Sequence, residues 1–101
     1  MAKEYENFSD FYPFYLSQHQ NTTCRRLHFI GSCCVLLLMG YSFYHQFWTL
    51  LWLLPVIGYG FAWVGHFFFE KNQPATFTYP IYSLIGDWVM FKDILIGKVS
   101  F

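Results

Sequence analysis

The sequence predicts an all-α protein: a small integral membrane helical bundle, built on a central two-helix transmembrane hairpin and flanked by N- and C-terminal amphipathic, interfacial helices. Three observations predict it. A long apolar stretch, Leu27 to Phe69, is broken only at Tyr44-His45-Gln46-Phe47. Hydrophobic residues make up 55% of the 101 positions and charged residues 12%, about half the ordinary charged share of ~25%. One residue in four is aromatic. A chain this short has too little interior to hide that much apolar surface, and the economical explanation is that lipid solvates much of it. The whole chain, 1–101, reads as a single membrane-embedded domain. The rival architecture is a buried helix pair in a soluble bundle.

Each element follows in order. Over residues 8–20, Phe8, Phe11, Tyr12, Tyr15 and Leu16 fall at helical spacing. Ser9 or Asp10 could cap this segment, and Pro13 is acceptable only near its first turn. Its many rings and few charges suit a membrane interface. Asn21-Thr22-Thr23 is a helix-start signal, and a helix from about Thr22 to Tyr44 carries roughly 18 apolar residues, enough to cross a ~30 Å hydrocarbon core. The returning helix, 47–69, contains Pro55, which could kink it, and Gly58, Gly60 and Gly65, which permit close approach. Glu70 to Pro74 is polar. The last segment, 81–96, is amphipathic, with Asp87, Lys92 and Asp93 among apolar residues, and suits the interface.

Charge excludes some functions. The formal net charge is zero, and no basic patch is interleaved with aromatic residues, so nucleic acid is not an expected partner. Cys24, Cys33 and Cys34 form no disulfide framework. The polar start, Met-Ala-Lys-Glu-Tyr-Glu-Asn, gives no signal-peptide pattern. Lys3, Arg25, Arg26, Lys71, Lys92 and Lys98 fall at one end of the hairpin and none at its turn. Both termini and that end should face the cytoplasm, in the cytoplasmic membrane if the source is bacterial.

The chemistry concentrates at the same end. His28 lies roughly 26 Å from His45, and His66 roughly 27 Å from Trp48, at 1.5 Å rise per residue. Antiparallel helices therefore bring His28 and His66 level. His19, just before the helix start, can fold back over the mouth of the hairpin. Glu70 is one turn beyond His66, and Asp87 could return to this end. Two or three imidazoles with a carboxylate suit Fe(II), Mn(II) or Zn(II). Ionisable residues at membrane depth are rare and usually functional. Arg25 and Arg26 could anchor the helix at the anionic inner leaflet or hold a substrate carboxylate. His45 reads as an interfacial residue. Two other readings remain open: a non-enzymatic membrane interaction or scaffold protein, and a bis-histidine haem protein using His28 and His66.

Tyr15 through Gly31 reads Tyr-Leu-Ser-Gln-His-Gln-Asn-Thr-Thr-Cys-Arg-Arg-Leu-His-Phe-Ile-Gly, and Val64 through Ala75 reads Val-Gly-His-Phe-Phe-Phe-Glu-Lys-Asn-Gln-Pro-Ala. Together these strings resemble the yeast-type 2-hydroxy fatty acid dioxygenase family of phytosphingosine alpha-oxidation, and within it the short bacterial branch. The resemblance covers nearly the whole chain. It implies an Fe(II)-dependent, membrane-embedded oxidoreductase that uses O2 to cleave a 2-hydroxy fatty acid to a fatty acid one carbon shorter. The family's motif histidines fall on His19, His28 and His66 and its glutamate on Glu70. These four would be the catalytic, metal-holding residues, with Glu70 as fourth ligand or as the partner fixing a histidine tautomer, and Arg25 or Arg26 would steer the substrate carboxylate. The chain lacks the yeast enzyme's additional apolar segments between the motifs, so the acyl surface could be smaller or built across a homodimer.

Overall fold

The structure, a computed structural model, describes residues 5–101. Lys3, one of the basic residues counted above, lies outside them. The described residues form helices joined by short turns, with no strand. The first helix, α1 (Phe8–Ser17), is capped by Asn7, whose side chain accepts from the Asp10 amide at 2.8 Å. Asn7, Ser9 and Asp10 are all competent caps, so local sequence alone does not choose among them. Pro13 stands in mid-helix, not in a first turn. The helix runs through it because Phe11 and Tyr15, 0% and 1% exposed, are packed on both sides of it. That burial outweighs the one missing hydrogen bond.

The second helix, α2 (Thr22–Tyr44), has the expected bounds. The Asn21 side chain accepts from the Cys24 amide at 3.0 Å and starts it. The chain reverses at His45 and Gln46, the latter in the left-handed region with φ +54°. The returning arm, expected as one helix, is three pieces: a 3-10 turn (Trp48–Trp52), α3 (Leu53–Val64) and a π-helical segment (Gly65–Glu70). Pro55 falls in the first turn of α3, where its missing N–H would have had no helical partner. It therefore marks a seam and not a mid-helix kink. A 3-10 turn (Ala75–Phe77) leads into α4 (Pro80–Leu95), which has proline in its first turn.

Helices α2 and α3 form the antiparallel hairpin, and α1 and α4 pack together at its histidine end. The aromatic core lies there: Phe11, Tyr15, Tyr79, Met90 and Ile94. Gly86 makes this docking possible, since a Cβ at that position would sit 2.9 Å from the Tyr15 ring. The segments Thr22–Tyr44 and Trp48–Glu70 are each 23 residues, long and apolar enough to cross a membrane. Only 22% and 17% of their most apolar windows are buried inside the molecule, whereas the core helix of a soluble bundle would be mostly covered. Leu37, Tyr44 and Trp52 are among the exposed apolar side chains.

Candidate metal centre

Three elements supply one histidine each. His19 follows the end of α1, His28 lies in the second turn of α2, and His66 is in the π-helical segment. All three are buried, at 1%, 7% and 2% exposure. Their ring centroids are 4.5, 4.6 and 4.9 Å apart, the rings nearly perpendicular to one another. One nitrogen from each lies within 4.8 Å of the others.

Backbone features make this convergence possible. Gly65 lets the two arms of the hairpin close at the histidine level, because a Cβ there would meet Cys24 Sγ at 3.1 Å and Cα at 3.2 Å. The wider π turn carries His66 inward. Such turns are frequent at functional sites, and nothing in the apolar run Phe67-Phe68-Phe69 announces this one.

The hydrogen bonds fix which nitrogen of each ring is bare. His19 Nδ1 is 2.6 Å from the Tyr15 carbonyl, and His28 Nδ1 is 2.9 Å from the Cys24 carbonyl. A carbonyl only accepts, so both Nδ1 atoms donate. His66 Nδ1 is 2.7 Å from Asn72 Oδ1. Asn72 Nδ2 donates to the Gln18 carbonyl and to Gln18 Oε1 at 3.1 and 3.2 Å, which orients the amide with its oxygen toward His66. With each Nδ1–H engaged, each Nε2 carries a lone pair. The Nε2 atoms of His19 and His28 are 3.1 Å apart. Two lone pairs at that distance repel, and a shared cation would turn the repulsion into ligation. Burial, then the neighbouring His28 and His66, holds the His19 pKa well below its usual range, so the ring is neutral and able to ligate.

Glu70 is placed differently. Its two oxygens accept from the backbone amides of Gln20 and Asn21 at 3.2 and 2.7 Å. It thus clamps the end of the π segment to the start of α2, beside the orphan N–H groups and positive end of that helix. Among the described residues the histidine group includes no carboxylate. Asp87 accepts from the Tyr15 hydroxyl, and Tyr15 stacks on His19 with centroids 4.1 Å apart. Burial pushes the Asp87 carboxyl up to about 6, against the opposing pull of that hydrogen bond.

The two arginines are committed to main chain and aromatic contacts. Arg25 donates to the carbonyls of His19, Gln20 and Ser100 at 2.9, 2.9 and 3.0 Å. Arg26 lies 5.0 Å over the Phe101 ring and donates to the Phe101 carbonyl at 3.4 Å. Neither lines the cavities at the histidines. Asn72, which bonds His66, and Ser83, which lines the smaller cavity, carry no signal in the sequence beyond being polar residues near a turn and on a helix. Haem does not fit between His28 and His66, whose rings are too close to admit a macrocycle.

A groove of about 340 Å³ opens beside the trio. It starts at His28 and Asp87 and runs between α2 and α3 past Val35 and Gly58 to Met39, Leu54 and Pro55. His28 to Met39 spans about 16 Å along the helix.

A family model described as 2-hydroxy-palmitic acid dioxygenase Mpo1-like matches residues 5–99. No curated protein and no solved structure matches the chain.

Proposed function

Because the chain belongs to the Mpo1-like family of 2-hydroxy-palmitic acid dioxygenases, we propose that it is an Fe(II)-dependent dioxygenase that shortens 2-hydroxy fatty acids by one carbon. The overall balance is R–CH(OH)–COOH + O2 → R–COOH + CO2 + H2O. The C1–C2 bond breaks, the substrate gives up four electrons, and O2 takes all four, so no second reductant is needed.

One observation carries the reading: three buried imidazoles bring ring nitrogens within 4.8 Å of one another, the Nε2 atoms of His19 and His28 at 3.1 Å, while three fixed acceptors face their Nδ1 atoms. Such a donor set fits a divalent transition metal. Iron there would supply a Lewis-acid centre able to bind O2 and the hydroxy acid. His19, His28 and His66 would hold it. Glu70, with both oxygens on backbone amides, keeps the His19 loop against His66. Its reading as a fourth ligand would require it to release those amides. The ligand set is neutral, so the metal keeps its full charge for an anionic substrate without help from Arg25 or Arg26. The groove from His28 toward Met39 suits the acyl tail: about 16 Å of helix corresponds to about 13 carbons at ~1.25 Å advance per bond. Its walls are mostly apolar.

The basic residues at the histidine end favour a cytoplasmic position for that end and for both termini. One chain brings the three histidines together, so the centre is complete without a second copy.

The test is metal content of detergent-purified protein beside His66→Ala, followed by oxygen uptake with 2-hydroxypalmitate. About one iron per chain, lost in the variant, with substrate-dependent oxygen uptake, is the expected result. No metal in either sample after anaerobic Fe(II) reconstitution would remove the proposal and leave the interaction-protein reading. Zinc alone would point to hydrolysis or mismetallation.

A further inference from the structure

Beside the groove lies a second, much smaller cavity of about 10 Å³. Its walls include all three histidines together with Ser83, Asp87 and Thr76. The two cavities adjoin at His28 and Asp87. One is large and apolar, while the other has room for about one water molecule and a mixed lining, polar groups beside Ala62, Trp63 and Pro74.

Ser83 is the unusual member. It projects from the second turn of α4 and is 2% exposed, yet its Oγ has no hydrogen-bond partner among the described residues. A buried hydroxyl left unpaired is costly, and such a group calls for an explanation. Among the groups around it, the imidazole Nδ1 protons are engaged as described, and one Asp87 oxygen accepts from the Tyr15 hydroxyl. The Ser83 O–H is thus a spare donor in a chamber it shares with the bare Nε2 acceptors, the Asp87 carboxylate and the hydroxyl-bearing residues Thr76 and Tyr59. An occupant that pairs this hydroxyl is the size of one heavy atom and can accept its proton.

We propose that this chamber seats a single water-sized oxygen ligand, water or hydroxide, between Ser83 Oγ and the metal held by His19, His28 and His66. The inference rests on the metal reading above and adds a second position to it. The acyl tail lies on the groove side of His28, and the small ligand on the Ser83 side. Ser83 is then a positioning residue for that ligand, and α4 contributes to the centre without supplying a metal ligand.

The test uses Co(II)-loaded full-length protein titrated with fluoride, a single-atom hydrogen-bond acceptor of hydroxide size, and read by the visible absorption of Co(II). Native protein is expected to respond. Ser83→Ala, which removes the donor and leaves the space, should weaken fluoride about tenfold. Ser83→Val, which fills the space, should abolish the response. Both variants should retain about one Co(II) per chain. Native fluoride affinity in both variants, with Co(II) retained, overturns the chamber and leaves the histidine centre standing, as does a native spectrum that ignores fluoride. Failure of native protein to take up Co(II) at all removes both. If Ser83→Val does not hold Co(II), the Ser83→Ala titration decides by itself.

Discussion

Asn72→Ala separates the histidine centre from a mere cluster of buried rings. Asn72 joins two parts of the site. Its oxygen accepts from His66 Nδ1 at 2.7 Å, and its NH2 donates to Gln18 at 3.1 and 3.2 Å, holding the residue before His19. Alanine removes these and leaves only the backbone bond from the residue 72 amide to the His66 carbonyl at 3.1 Å. His66 is 2% exposed, so its stranded Nδ1–H costs about 1–3 kcal/mol, and the lost bonds to Gln18 about 1 kcal/mol more. The metal-free protein should therefore lose about 2–4 kcal/mol. Metal affinity should fall further than stability alone requires, because the proton is free to move to Nε2 and block ligation. Loss of such a partner typically weakens metal binding about 10–100-fold. Asn72→Asp keeps an acceptor for His66 and should hold affinity near native while giving up the Gln18 link. The assay is competition against a chromophoric chelator in detergent, paired with thermal unfolding of stripped protein. Native affinity in Asn72→Ala would refute the tautomer argument. An equal loss in Asn72→Asp would show that Gln18, and not His66, is what Asn72 serves.

Three other perturbations probe the surroundings. Glu70→Gln should cost about 1 kcal/mol, through one weakened amide contact and the lost charge at the α2 N-terminus, and should weaken metal binding without abolishing it; complete loss of metal in a folded variant would make Glu70 a ligand. Asp87 binds its proton more tightly in the folded state, with its carboxyl raised to about 6, so its contribution is whole below about pH 4 and is lost as pH rises through 6. That amounts to about 2–3 kcal/mol, and unfolding temperatures of native and Asp87→Asn protein at pH 5 and pH 8 should diverge at the higher pH, with parallel curves counting against it. Gly58→Leu should close the groove about 10 Å from His28, opposite Val35, which is 3.6 Å from a Cβ at that position; a shift in oxygen uptake toward substrates of roughly 8 carbons is expected, and an unchanged chain-length profile would move the tail elsewhere.

The hairpin and the convergence of His19, His28 and His66 were legible because they depend on counting. The helical rise and the position of one break bring His28 and His66 level, and a short link is enough to return His19. The remaining features depend on contacts between positions far apart in the chain. Asn72 looks like any turn residue in Asn72-Gln73-Pro74, and its orientation is set by Gln18, 54 positions away. Arg25 binding the carbonyl of Ser100 leaves no trace in the sequence, since every residue offers a carbonyl. Glu70 was legible as one turn beyond His66 but not as a clamp, because spacing gives its helical face and not the two amides it meets. The π turn at Gly65 and the continuous helix through Pro13 are both cases where packing overrides local preference.

The two long segments are built inside out. Their buried positions are Cys24, His28, Gly31, Val35, Ser42, Ala62, Gly65 and His66, while Leu36, Leu37, Trp52 and Phe68 face outward. Water cannot drive such arms together in a bilayer, where the surrounding tails are as apolar as leucine. Their cohesion has to come from close backbone approach and from the polar groups trapped between them. The groups that would do the chemistry are thus also among those that keep the arms in register, and the surrounding solvent becomes a variable of the centre itself. A detergent that wets the seam between the arms would compete for those polar groups and spread the imidazoles before any helix unwinds, so loss of metal would precede loss of helical signal.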